Sequence, residues 1–124
     1  MSINIQAAEE YVRRIIPSAI PLCGEINTLG TYLLFDTLTV NNGFTEDVTY
    51  YFQCYVAVST PTRNKGLMYD GLSDVLTQLI QAQQQEQRIE LKTAQPFSSN
   101  RLIIYQIQIA VTPPLIPRCD EDTL

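Results

Sequence analysis

The side chains able to do chemistry are few and scattered. The chain has no histidine, so it lacks the commonest general base and the commonest metal ligand. Cys23, Cys54 and Cys119 are far apart and include no C-x-x-C pair, so they outline neither a zinc knuckle nor an evident disulfide framework. Cys54 alternates with Phe52 and Val56, the setting of a buried core thiol, whereas Cys23 and Cys119 fall in irregular segments. Carboxylates at Glu9/Glu10, Glu46/Asp47 and Asp120 to Asp122 have the type needed for acid–base or metal work. Their settings, a helix surface, a hairpin end and a tail, favour plain solvated charge. Asp36 differs, because it lies among Leu34, Phe35 and Leu38; facing outward it needs nothing, and facing inward it needs a partner such as Arg101. No G-x-G-x-x-G, G-x-x-x-x-G-K-[ST] or G-x-S-x-G motif is present. An enzyme built from these residues would have to bring two or more of Asp36, Glu90, Tyr51 and Tyr55 to one pocket. The expectation is no catalysis, no cofactor and no metal site.

Elements must position whatever remains. With 124 residues the chain suits a single domain, expected over residues 1–112, followed by a Pro-rich acidic tail at 113–124. Eight Lys and Arg against 13 Asp and Glu give a net charge of −5, which repels phosphate and argues against specific nucleic-acid binding. The composition, 45% hydrophobic and 17% charged, is that of a chain that folds. No apolar run is long enough for a membrane helix and no signal segment opens the chain, so the expected place of synthesis is the cytoplasm.

Periodicity gives the order helix, strand, strand, helix, strand, strand. Ala8, Tyr11, Val12, Ile15 and Ile16 recur at helical steps over Ile5 to Ile16, with Asn4 or Ser2 as cap, Arg13 and Arg14 in the last turn, and Pro17 as terminator. Strands at Thr31 to Val40 and Asp47 to Thr60 flank Asn41-Asn42-Gly43, residues suited to a hairpin turn. In the second, Val48, Tyr50, Phe52, Cys54, Val56 and Val58 line one face; Tyr51 and Tyr55 make the other only half polar. That second face is either an interface or is covered by a helix or the N-terminal segment. After a loop at Pro61 to Gly66, Met68, Leu72, Val75, Leu76, Leu79 and Ile80 form an amphipathic stripe, with Asp70 as the expected cap. Arg88 to Thr93 and Arg101 to Thr112 read as closing strands joined by a turn-rich stretch, Ala94 to Asn100. The expected fold is α+β, a four-stranded, mainly antiparallel sheet with two helices packed on one face.

This chain plan resembles the tail terminator (tail completion) proteins of long-tailed bacteriophages. The resemblance runs from the helix at Ile5 through the hairpin stretch Val48-Thr49-Tyr50-Tyr51-Phe52-Gln53-Cys54-Tyr55-Val56-Ala57-Val58-Ser59. It continues through Gly71-Leu72-Ser73-Asp74-Val75-Leu76 and ends in Arg101-Leu102-Ile103-Ile104-Tyr105-Gln106-Ile107-Gln108-Ile109. It is one of pattern and length, with no short diagnostic motif. It implies a non-catalytic virion protein: a homo-oligomeric, usually six-fold ring at the head-proximal end of the tail. Such a ring touches the tail tube protein, a neck or head-completion protein and, in contractile tails, the sheath, while DNA passes through its lumen. The family has no membrane partner. Loops and aromatic positions are the candidate contact residues: Asn41, Asn42, Phe44, Glu46, Asp47, Tyr51, Tyr55, Arg63, Lys65, Phe97 and Arg101. The alternatives are another head–tail connector or neck protein, or a small oligomeric adaptor or ligand-binding module.

Overall fold

In the computed structural model, residues 3–40, 48–59, 65–86, 88–97 and 102–112 are described. The first helix, α1, spans Ile5–Ile15. Asn4 caps it, its side-chain oxygen accepting a hydrogen bond from the Ala7 amide at 3.0 Å. At the other end the Ile16 amide still reaches the Val12 carbonyl at 2.9 Å, and Pro17 stops the helix there. Arg13 and Arg14 occupy the last turn, where the helix dipole favours cations. Ala8, Tyr11, Val12 and Ile16 are its buried positions.

Strand β1 follows at Ala19–Pro21, then β2 at Gly30–Val40 and β3 at Val48–Ser59. Helix α2 runs Lys65–Glu86, and the chain closes with β4 at Ile89–Phe97 and β5 at Ile103–Val111. The broad class is α+β, but the sheet has five strands and is mixed, in the order β1-β2-β3-β5-β4. The expected four-stranded sheet therefore lacked β1, which lies parallel to β2 with Ala19 beside Thr31 and Pro21 beside Leu33. Three residues are too few to carry an alternating signature, and beyond Pro21 the Leu22 amide still reaches the Leu33 carbonyl at 2.9 Å. The other pairings are antiparallel, including the expected hairpin, whose register sets Val40 opposite Val48.

One face of the sheet carries the main core. Leu33, Val48, Tyr50, Phe52, Cys54, Val56, Ile89, Ile107, Ile109 and Val111 pack there with the buried stripes of both helices. Helix α2 differs from its expected form at both ends of the argument. It begins at Lys65, so Asp70 lies inside it rather than capping it, and Lys65 and Gly66 are helical rather than loop. Its buried stripe is Leu72, Val75, Leu79 and Ala82, while Ile80 is 44% exposed. Ile80 lies at the margin of the apolar stripe, and helical spacing alone does not separate the margin of a stripe from its buried centre. Strand β4 continues four residues past the expected Thr93, through Ala94, Gln95 and Pro96 to Phe97. Ala94 and Pro96 are poor strand formers held by pairing with β5, a tertiary effect that local propensity does not register.

Candidate functional site

The outer face of the sheet, opposite the helices, contains the aromatic residues singled out by alternation. It divides into a covered half and an open half. In the covered half Tyr32, Tyr55, Ala57, Leu102 and Ile104 form a second small core, closed by Leu22 and Ile26 from the segment between β1 and β2. Tyr55 is 8% exposed. Its hydroxyl accepts a hydrogen bond from Gln106 Nε2 at 3.2 Å, and Gln106 Oε1 in turn accepts from Gln95 Nε2 at 3.3 Å. Phe97 meets the Tyr55 ring edge-on at 5.0 Å while keeping 41% of its own surface exposed. Tyr32 anchors the covering segment, donating to the Thr28 carbonyl at 2.9 Å and lying 2.8 Å from the Thr28 hydroxyl. The cover over Tyr55 is neither a helix nor the N-terminal segment: the connection between β1 and β2, together with Phe97 of β4, closes it. Its surface is already occupied.

The open half contains Leu34, Asp36 and Thr37 of β2, Tyr51 and Gln53 of β3, and Glu90, Lys92 and Thr93 of β4. Tyr51 is half-buried. Asp36 faces outward and accepts a hydrogen bond from Gln53 Nε2 at 2.8 Å; Gln53 Oε1 is buried and has no hydrogen-bond partner among the described residues. Lys92 Nζ lies 3.6 Å from Glu90 Oε2 in an exposed pair of little energetic weight.

Tyr51, Tyr55 and Glu90 are spread across the sheet, while Asp36 stands beside Thr37, the register partner of Tyr51. Tyr51 and Tyr55 sit four residues apart on one strand, about 13 Å at the rise of a strand. Glu90 shares the Tyr51 row but is separated from it by Ala110 of β5, so the two lie roughly 10 Å apart across the sheet. Three of the four polar tips have a local partner: Gln53 for Asp36, Lys92 for Glu90, Gln106 for Tyr55. Among the described residues no group of three or more His, Cys, Asp or Glu could hold a metal ion. No described helix is long and apolar enough to cross a membrane.

Of the remaining candidates, Asn41, Asn42, Phe44, Glu46, Asp47, Arg63 and Arg101 lie outside the described residues, as does most of the loop before α2. Lys65 opens α2. On the helical side Tyr105 bonds through its hydroxyl to Tyr69, their rings 6.5 Å apart; burial, that hydrogen bond and the nearby Tyr69 charge raise its pKa above 10.0.

Residue-by-residue reading missed the edges of the sheet. Strand β1 pairs only with Thr31 to Leu33, so among the described residues nothing pairs with the outer side of β2 from Leu34 to Val40. Strand β4 is the opposite edge along its whole length. Both carry a β-bulge, at Asp36 in β2 and at Lys92 in β4. The signal was in the apolar phase: Leu33 and Phe35 are followed by Leu38 and Val40, and Ile89 and Leu91 by Ala94 and Pro96, a one-residue slip each time. On the helix side both edges end in incompletely covered apolar residues. Phe35 and Leu38 are half-buried and Val40 is 43% exposed on β2, and Leu91 is half-buried on β4.

No protein-family model matches the chain, and no curated relative matches it significantly.

Proposed function

We propose that this protein is a structural assembly subunit of the tail terminator kind, forming a ring that closes the head-proximal end of a phage tail tube and joins it to the neck. The observation that carries the reading is that, among the described residues, one small sheet has stretches without a strand partner on both its β2 and β4 sides. An unpaired edge offers a row of amides and carbonyls to another chain, a hazard for a lone monomer and a means of assembly for a subunit. The element order helix, hairpin, helix, two closing strands supports it, as does an outer face whose chemistry-bearing groups are spread among local partners. In this role the partners are further copies of the chain, the tube protein and a neck or head-completion protein, with the sheath added in a contractile tail. The function is mechanical. DNA passes through an acidic lumen without a specific contact, because like charge discourages adhesion to phosphate.

Native mass spectrometry and sedimentation of the purified chain, alone and mixed with tail tube protein, test this directly. A closed oligomer that binds the end of the tube is the expected outcome. A chain that stays monomeric at high concentration and ignores tube protein would overturn the proposal.

A further inference from the structure

We infer that neighbouring copies join by head-to-tail sheet extension, the β4 edge of one copy pairing with the Leu34 to Val40 edge of β2 in the next. This deepens the ring reading and rests on it. The first argument is direction. Strand β2 is antiparallel to β3, β3 to β5, and β5 to β4, so β2 and β4 run in opposite senses. Placing a second copy beside the first, with its helices on the same side, therefore brings β4 against β2 as an antiparallel ladder. That is the stronger pairing, and it breaks neither the sheet nor the two-layer packing.

The second argument is fit along the edges. Among the described residues, positions 34–40 of β2 and 89–95 of β4 have no strand partner on their free sides and are equal in length, although the Leu91 amide donates to Gln83 Oε1 at 3.0 Å and so does not join a ladder. Pro96 has no amide to donate and marks where the ladder must stop. On the helix side the junction sets Phe35 and Leu38 of one copy next to Leu91 of the other. These three residues belong to the partly buried rim of the main core and are the members of it on the two strand edges. Continuing the sheet would complete their burial.

Charge supplies the third argument. Asp36 and Lys92 are the bulge residues of their edges, both exposed, and the neighbours that orient them, Gln53 and Glu90, belong to the outer face. In the head-to-tail junction opposite charges meet on that face. Pairing two β2 edges about a two-fold axis brings Asp36 towards its own copy, and pairing two β4 edges leaves β2 uncovered. Only the mixed junction covers both edges of every copy, and a repeated mixed junction closes into a ring when its rotation permits.

Sedimentation velocity and native mass spectrometry on the full chain, with Asp36→Lys, Lys92→Asp and the double exchange, decide the matter. Each single reversal should weaken self-association by about three- to tenfold, and the double exchange should restore it. Asp36→Asn retains an acceptor for Gln53 and should produce a smaller loss, with circular dichroism confirming that every variant folds. Hydrogen exchange on the unaltered chain reads the same junction without mutation. Amides of 34–40 and 89–95 should gain protection on association while those of β3 stay unchanged. A dimer that responds to Lys92→Asp but not to Asp36→Lys would overturn the mixed junction in favour of paired β4 edges. A ring that forms with neither reversal affecting it, and with both edges still exchanging, would overturn it while leaving the ring reading intact. No association under any condition would remove the ring reading itself.

Discussion

Burial pushes the Cys54 thiol from 9.0 up to about 12, because a thiolate between Phe52 and Val56 would lose its water without gaining a partner. Cys23 carries the same atom in an exposed position. The chemistry of the two is set by surroundings alone, which makes them a direct probe of packing. We expect iodoacetamide at pH 8 to label Cys23 readily and to leave Cys54 untouched until the chain is unfolded, as read by peptide mass mapping. Labelling of Cys54 in the folded protein at the rate of Cys23 would contradict the buried assignment. The folded state holds the proton more tightly than the unfolded one, so the contribution of Cys54 is complete below pH 9 and is lost as pH rises from 9 towards about 12. An alkaline unfolding transition in that window, shifted upward in Cys54→Ala, is the accompanying expectation.

At the scale of elements, Gly30 opens β2 with φ at +149°, in a region that L side chains rarely adopt. Its strand partner is Ala57, and an added Cβ would stand 3.5 Å from the Tyr32 hydroxyl, in ordinary contact, so backbone strain and not collision sets the cost. Gly30→Ala should destabilise the fold by about 1–3 kcal/mol, measured by urea unfolding with an unchanged m-value. A neutral result would mean that the entry to β2 relaxes freely. Strands β2, β3 and β5 and both helices were legible in the sequence because long periodic stripes report burial directly: β3 alternates without interruption from Val48 to Val58, and its core face is the one expected. What was illegible has physical reasons. Strand β1, at three residues, spans little more than one period of alternation, and β4 from Ala94 to Phe97 is paired along its length with β5. The cover over Tyr55 comes from Leu22 and Ile26, isolated apolar residues in a segment without periodicity, so alternation could flag the tyrosine as half-exposed but not supply its lid. Most of the candidate contact loops, Asn41 to Asp47 and Arg63 among them, lie outside the described residues, so the legible part of the site is the sheet, not its loops.

For the whole molecule, the decisive quantity is the balance between one favourable junction and an unfavourable net charge. Each copy carries −5. A folded chain of this length is about 35 Å across, so two such neighbours repel by about 3 kcal/mol in unscreened water. Counter-ions reduce this to about 0.9 kcal/mol at 0.01 M salt and to about 0.1 kcal/mol at 0.1 M, where the screening length has fallen to roughly 10 Å. The exposed Asp36–Lys92 contact across the proposed junction contributes about 0.2–1 kcal/mol and weakens over the same range, though less steeply because the charges are close. In a closed ring every copy has two adjacent neighbours and further ones beyond them, so the relief of repulsion accumulates while the ion pair counts once per junction. The net effect is that salt assists assembly: self-association should tighten about twofold or more per junction between 0.01 M and 0.1 M salt, and level off above that. The Asp36→Lys and Lys92→Asp double exchange leaves the total charge unchanged and should follow the same salt curve. Association that weakens steadily with added salt would mean that local ion pairs, not the apolar rim and the backbone ladder, hold the copies together.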